Sequence, residues 1–203
     1  MARPSSPASL RVGLFAEDQT DCETLKVLIR RMAPQRSVSF QSYGQDGCAT
    51  LRRKAGSWIQ DAVRKGCQAL VIAHDLDRDP RNGQLNDEAA LRKRLAAIPI
   101  PSSAQHLICI PVEELEAWFW ADPAVLALVQ GPGGPKQSPP LAHASPESLR
   151  RPKEALKALS QGTQKKPRYT TAQNPRLAEN LNIALCAQRC PSFRTLREFV
   201  ARF

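Results

Sequence analysis

Three short apolar runs in this chain of 203 residues each end in a cluster of carboxylates. Leu10 to Ala16 leads into Glu17, Asp18 and Asp21. Ala69 to Ala73 leads into His-Asp-Leu-Asp-Arg-Asp, which carries Asp75, Asp77 and Asp79. His106 to Ile110 leads into Val-Glu-Glu-Leu-Glu-Ala-Trp, which carries Glu113, Glu114 and Glu116. In an open parallel sheet, ligands bind beyond the carboxyl ends of the strands. Asp75 and Asp77 lie two apart, so an extended backbone points both side chains the same way. Carboxylates gathered this closely cannot all stay ionised unless a positive charge sits among them. Mg²⁺ or Mn²⁺ fits that need, because hard cations take oxygen ligands and often share phosphates with a substrate. The bland alternative is helix capping, which the helix dipole favours for acids. Capping accounts for one or two of these residues and leaves the rest without a role.

The intervening segments supply what would hold those ends together. Thr20, with Glu23 three residues on, has the form of a capping box, and Leu25, Leu28, Ile29 and Met32 follow at helical spacing up to Pro34. Ser37 to Tyr43 alternates like a strand. A helix is expected from Cys48 to Arg64, closed by Gly66, and another over 86–97. Glu113 to Trp120 opens a further helix. Strand and helix in alternation mean crossover connections and a mainly parallel sheet. The expected fold is therefore α/β and Rossmann-like, with four strands flanked by helices over 1–130. Gly131 to Pro146 is rich in Pro and Gly, which defines a loop over 131–149. Helices at 150–160, 175–188 and 192–202 then form a helical extension over 150–203, packed on the α/β domain.

The formal charge of +10 is unevenly shared. Residues 1–135 hold 16 Lys+Arg against 15 Asp+Glu, whereas residues 136–203 hold 13 against 4. A basic excess confined to one third of a chain suits a polyanionic partner, nucleic acid above all. Lys165, Lys166, Arg168 and Arg176 flank Tyr169, a combination suited to phosphates and one stacked base. A solvated loop before a helix fits the same residues. Arg150, Arg151, Lys153 and Lys157 would extend this basic face. With 5% aromatics, a stacking platform for several bases is excluded.

The acidic motifs resemble those of TOPRIM-like proteins, the fold of topoisomerases, bacterial primases and nucleases of the overcoming-lysogenization-defect type. The residues concerned are Ala-Glu-Asp-Gln-Thr-Asp (16–21), Asp-Leu-Asp (75–77) and Glu-Leu-Glu-Ala-Trp-Phe-Trp-Ala-Asp (114–122). Pro167-Arg168-Tyr169, Leu177-Ala178 and Arg189-Cys190-Pro191-Ser192-Phe193 are similar to the tail of an uncharacterised bacterial TOPRIM-like branch. The resemblance implies an Mg²⁺- or Mn²⁺-dependent endonuclease, with Glu17 as acid/base and Asp75 and Asp77 as metal ligands. Glu114 and Glu116 would complete a second metal position. Asp21 and Asp79 would be helix caps or outer-shell partners. It also implies a phage-defence effector working with an ATPase. Two departures stand out: Asp18 where the branch has glycine, and Thr171 where it has lysine.

Two other function classes fit the same residues: a TOPRIM-like module that binds nucleic acid or a partner without catalysis, and a phosphoryl-transfer enzyme for a small substrate. Zinc is not expected, because Cys186 and Cys190 lack a C-x₂-C partner and His74, His106 and His143 are scattered. His74 is either an outer-shell donor or a packing residue. Glu113 is expected to be exposed. No signal peptide or membrane span is evident, so a cytoplasmic protein with six reduced cysteines is expected.

Overall fold

The computed structural model describes residues 9–45, 47–131, 142–161 and 164–203. Four strands, β1 (Leu10–Ala16), β2 (Val38–Gly44), β3 (Ala69–Ala73) and β4 (Gln105–Cys109), form one sheet in the order β2-β1-β3-β4. Every pairing is parallel, so each crossover carries chain across a face of the sheet. The carboxyl ends of β1 and β3 lie side by side, with Phe15 in register with Ile72. The architecture is thus α/β and Rossmann-like.

Alternation along the strands divides the core. On one face, Phe15, Leu70 and Ile72 pack against α2 (Gly47–Arg64) and α3 (Glu88–Ala96). On the other, Val12, Leu14, Val71 and Ala73 pack against α1 (Gln19–Met32). That second face also receives α4 (Pro123–Gln130), α5 (Pro152–Gln161), α6 (Asn174–Asn180), α7 (Ile183–Arg189) and α8 (Pro191–Val200). The basic third of the chain therefore buries its apolar residues in the core of the sheet. Trp118 and Trp120 fasten it there, their indole N–H groups donating to Ser192 Oγ (2.8 Å) and Pro152 O (3.1 Å).

Several local expectations are corrected. Asp18, not Thr20, caps α1: its carboxylate accepts from the Asp21 N–H at 2.9 Å, while Thr20 lies within the helix. Asp18 thus supplies the cap of α1. The segment after β4 is a 3₁₀ turn, Leu115–Ala121, followed by α4. The single helix expected at 175–188 is two, because the chain turns extended at Leu181 and Asn182 then caps α7 through Leu185 N–H. Most of the Pro/Gly loop, residues 132–141, lies outside the described residues. All six cysteines are free. Among the described residues no helix is long and apolar enough to cross a membrane.

Candidate active site

The turn after β1 is held by close backbone approaches. A Cβ on Gly44 would lie 2.2 Å from the Asp18 carbonyl oxygen, so the end of β2 accepts only glycine there. Gly47 N–H donates to Glu17 O at 3.0 Å, which joins the start of α2 to the end of β1. Glu17 consequently faces Cys48 and Arg52 on the first turns of α2. Its Oε1 accepts from the Asp75 backbone N–H at 3.1 Å and lies 3.4 Å from His74 Nδ1.

Pairing between the third and fourth strands continues past their ends. His74 N–H donates to Cys109 O, Leu76 N–H to Pro111 O and Glu113 N–H to Leu76 O. Leu76 turns into the α2/α3 core. Asp75 points away from it, towards Asp21, Glu116 and Lys153. His74 Nδ1 lies 2.8 Å from Asp75 O, so its proton sits on that nitrogen. His74 is buried, and among the described residues its Nε2 has no partner.

Six carboxylates gather here, and their surroundings divide them. Among the described residues, no hydrogen bond reaches the carboxylate oxygens of Asp21, Asp75 or Asp77. Burial, reinforced by Asp77, pushes Glu17 up to about 7. Burial with Asp18, Glu116 and Glu17 nearby pushes Asp21 up to about 8. Burial and the charges of Asp21, Glu17 and Glu116 hold Asp75 well above the ordinary carboxylate range, and Asp77 is raised chiefly by burial. These groups are short of positive charge.

Glu114 and Glu116 are supplied with it. Lys153, at the start of α5, places its ammonium 3.2 Å from Glu114 Oε1 and 3.9 Å from Glu116 Oε1. Its backbone N–H donates to Glu114 Oε2 at 2.9 Å. Burial alone would lower the lysine's pKa, but Glu116, Glu114 and Asp75 together raise it. Glu116 is buried, and its Oε1 accepts from Asn174 Nδ2 (3.0 Å) and faces Tyr169 OH (3.4 Å). Tyr169 OH also donates to Asn174 Oδ1 at 2.6 Å.

The sequence-derived residues therefore separate. The structure brings Glu17, Asp21, Asp75, Asp77, Glu114 and Glu116 into one electrostatic cluster. Asp79 stands apart, shaping its own turn by accepting from Arg81 N–H at 2.8 Å. Glu113 is buried rather than exposed. Arg78 and the Arg151 N–H bind its carboxylate, and it holds a left-handed backbone at φ 60°. Tyr169 is 1% exposed, so it clamps Glu116 and offers no face for a stacked base. Lys153 serves the acids instead of a basic surface. Lys165 and Lys166 are exposed. Arg168 and Arg176 line a pocket of about 290 Å³ with Leu128, Val129, Gln173 and Leu177, which contains none of the cluster's acids.

Some residues of the site had no local signal. Oxygens of Glu17 and Asp77 and the sulfur of Cys48 lie within 4.8 Å of one another, close enough to share an ion. Arg52 and Arg94 line a cleft of about 310 Å³ with His74, Asp75 and Asp77. A second cleft, about 350 Å³, also includes Asp77, with Arg78, Arg150 and Arg151 set among Asp79, Glu113, Glu114 and Glu154. A cation fits best between Glu17 and Asp77, where two carboxylates and the Cys48 thiol come together, while Asp75 lies outside that group. It does not fit between Glu114 and Glu116, where the Lys153 ammonium already sits.

A family profile described as Domain of unknown function (DUF4276) matches residues 16–201. No curated protein and no solved structure matches the chain. The matched span takes in the site from Glu17 to Glu116 together with Lys153, Tyr169 and Asn174, and the chain belongs to the DUF4276 family.

Proposed function

We propose that this protein is a metal-dependent hydrolase of phosphodiester bonds in nucleic acid. The observation that carries the reading is the convergence of under-neutralised carboxylates from the ends of β1 and β3, with arginines among the acids of the two clefts that share Asp77. The similarity of its acidic motifs to TOPRIM-like nucleases points the same way. A bound Mg²⁺ or Mn²⁺ would polarise the phosphoryl group and acidify a water. Asp77 would hold it, with Glu17 and Asp75 beside it. Glu17, oriented by the Asp75 N–H and the His74 ring, takes the proton as the water oxygen bonds to phosphorus. The bond from phosphorus to the leaving sugar oxygen breaks, and that oxygen takes up a proton.

Arginines in both clefts suit a chain that passes over the acids, which favours a polymer over a small phosphate ester. Arg52 and Arg94 would contact phosphates from one cleft, Arg150 and Arg151 from the other. The test is cleavage of DNA and RNA substrates with Mn²⁺ or Mg²⁺. Cleavage that requires the metal and disappears in Asp75→Ala and Glu17→Gln is expected. Binding without cleavage by the wild type would replace this reading with that of a non-catalytic module. Turnover of a small phosphate ester with indifference to nucleic acid would replace it with a small-substrate enzyme.

A further inference from the structure

The resemblance to TOPRIM-like proteins would assign Glu114 and Glu116 to a second metal position, and in the structure both are already engaged. The ammonium of Lys153 lies 3.2 Å and 3.9 Å from them. This lysine is not a loose surface cation. Its backbone N–H, one of the amides that a helix start leaves free, is bound by Glu114 at 2.9 Å. The Arg151 N–H just before it is bound by Glu113 at 2.7 Å. The start of α5 is thus pinned by two neighbouring carboxylates, and its side chain is fixed over the cluster. On the far side of Glu116, Asn174 and Tyr169 supply the remaining donors.

We infer that Lys153 is the resident cation of the second position, so that the protein binds one divalent ion, on the Glu17–Asp77 side, and uses the ammonium as its other positive charge. The inference rests on the metal-site reading above. An ion between Glu114 and Glu116 would need oxygen contacts near ~2.1 Å for Mg²⁺. Reaching them means expelling an ammonium that costs nothing to recruit and is covalently part of the fold. Removing the ammonium, conversely, leaves two carboxylates with a cation-sized deficit of charge between them. The position then becomes a metal site.

The test is the number of Mn²⁺ ions bound by the full chain without nucleic acid, measured by equilibrium dialysis and electron paramagnetic resonance. One ion is expected for the wild type, one for Lys153→Arg and two for Lys153→Met. Glu114→Gln should change the wild-type affinity less than about twofold, while Asp77→Asn should lose the ion. Two ions in the wild type, or one in a folded Lys153→Met protein, would overturn the inference and leave the metal site standing. No ion in the wild type would overturn the metal site as well. If Lys153→Met folds only with metal, the wild-type count and the Glu114→Gln affinity decide.

Discussion

The carboxylates after β4 and those at the ends of β1 and β3 share one crevice but live under opposite conditions. Glu113, Glu114 and Glu116 have their donors: two backbone amides, Arg78, Lys153, Asn174 and Tyr169. Asp21, Asp75 and Asp77 have none among the described residues, and Glu17 has one backbone amide and a histidine. A saturated carboxylate is a tie between segments. A carboxylate crowded by other acids and without donors is disfavoured in its charged form, and under the proposal above a bound cation would relieve it. The contrast separates residues that build the crevice from residues that use it, although all are acids at strand ends.

The largest effect that can break this contrast is on cleavage. Asp75→Asn should lower it on the order of 10³-fold and should raise the melting temperature of the metal-free protein, because it relieves a half-buried carboxyl crowded by Asp21, Glu17 and Glu116. A fall in melting temperature with cleavage intact would put Asp75 among the builders. Glu17→Gln should cost about 10²-fold or more in cleavage, with Mn²⁺ affinity changed far less than by Asp77→Asn.

Glu116→Ala should show the reverse pattern. It strands Asn174, Tyr169 and Lys153, and a loss of about 3 kcal/mol of stability is expected from breaking a buried charged network. Urea unfolding measures it. An unaltered midpoint would mean that Glu116 is not a tie.

The pH dependence of stability sharpens the comparison further. Glu17 and Asp21 titrate higher in the folded protein, at about 7 and about 8, than in the unfolded chain, where ordinary carboxylates titrate near 4.5 and 3.8. The folded state therefore binds more protons across that window, and these groups make stability fall as pH rises from about 4 to about 8. The melting temperature of metal-free protein should decline over this range, and Mn²⁺ should flatten the decline. A rise instead would show that the open carboxylates are already compensated.

The smallest effect is expected in the exposed part of the tail. Replacing Lys165 and Lys166 by alanine should weaken nucleic-acid binding and lower the salt slope by at most about 2, with the rate of cleavage at saturation unchanged.

What could be read from the sequence follows the range of the forces involved. β3 is an uninterrupted apolar run and β1 is broken only by Arg11 and Gly13, so both are legible to the residue. So are the carboxylates that follow them, because a strand end is a local event. Asp18 and Thr20 both suit an N-cap by sequence, and only the turn that packs against Gly44 decides for Asp18. The break before α7 had a local signal in Asn182, outweighed by helical spacing on both sides. Lys153 was read as one more basic residue of a basic tail. Nothing near it in sequence announces Glu114 and Glu116, which reach it only through the packing of α5. Tyr169 was misread for the same reason: its partners, Glu116 and Asn174, are tertiary neighbours. Cys48 became part of the site only through the amide of Gly47 on Glu17.

The clamp formed by Lys153, Tyr169 and Asn174 has one more consequence. A ribosome makes the four strands and every acid of the crevice before it makes any of these three residues. Until the last third emerges, Glu114 and Glu116 lack their ammonium and their amide donor. Completion of the crevice thus waits for Asn174, and a nascent chain stalled before α5 carries the acids in an unfinished arrangement.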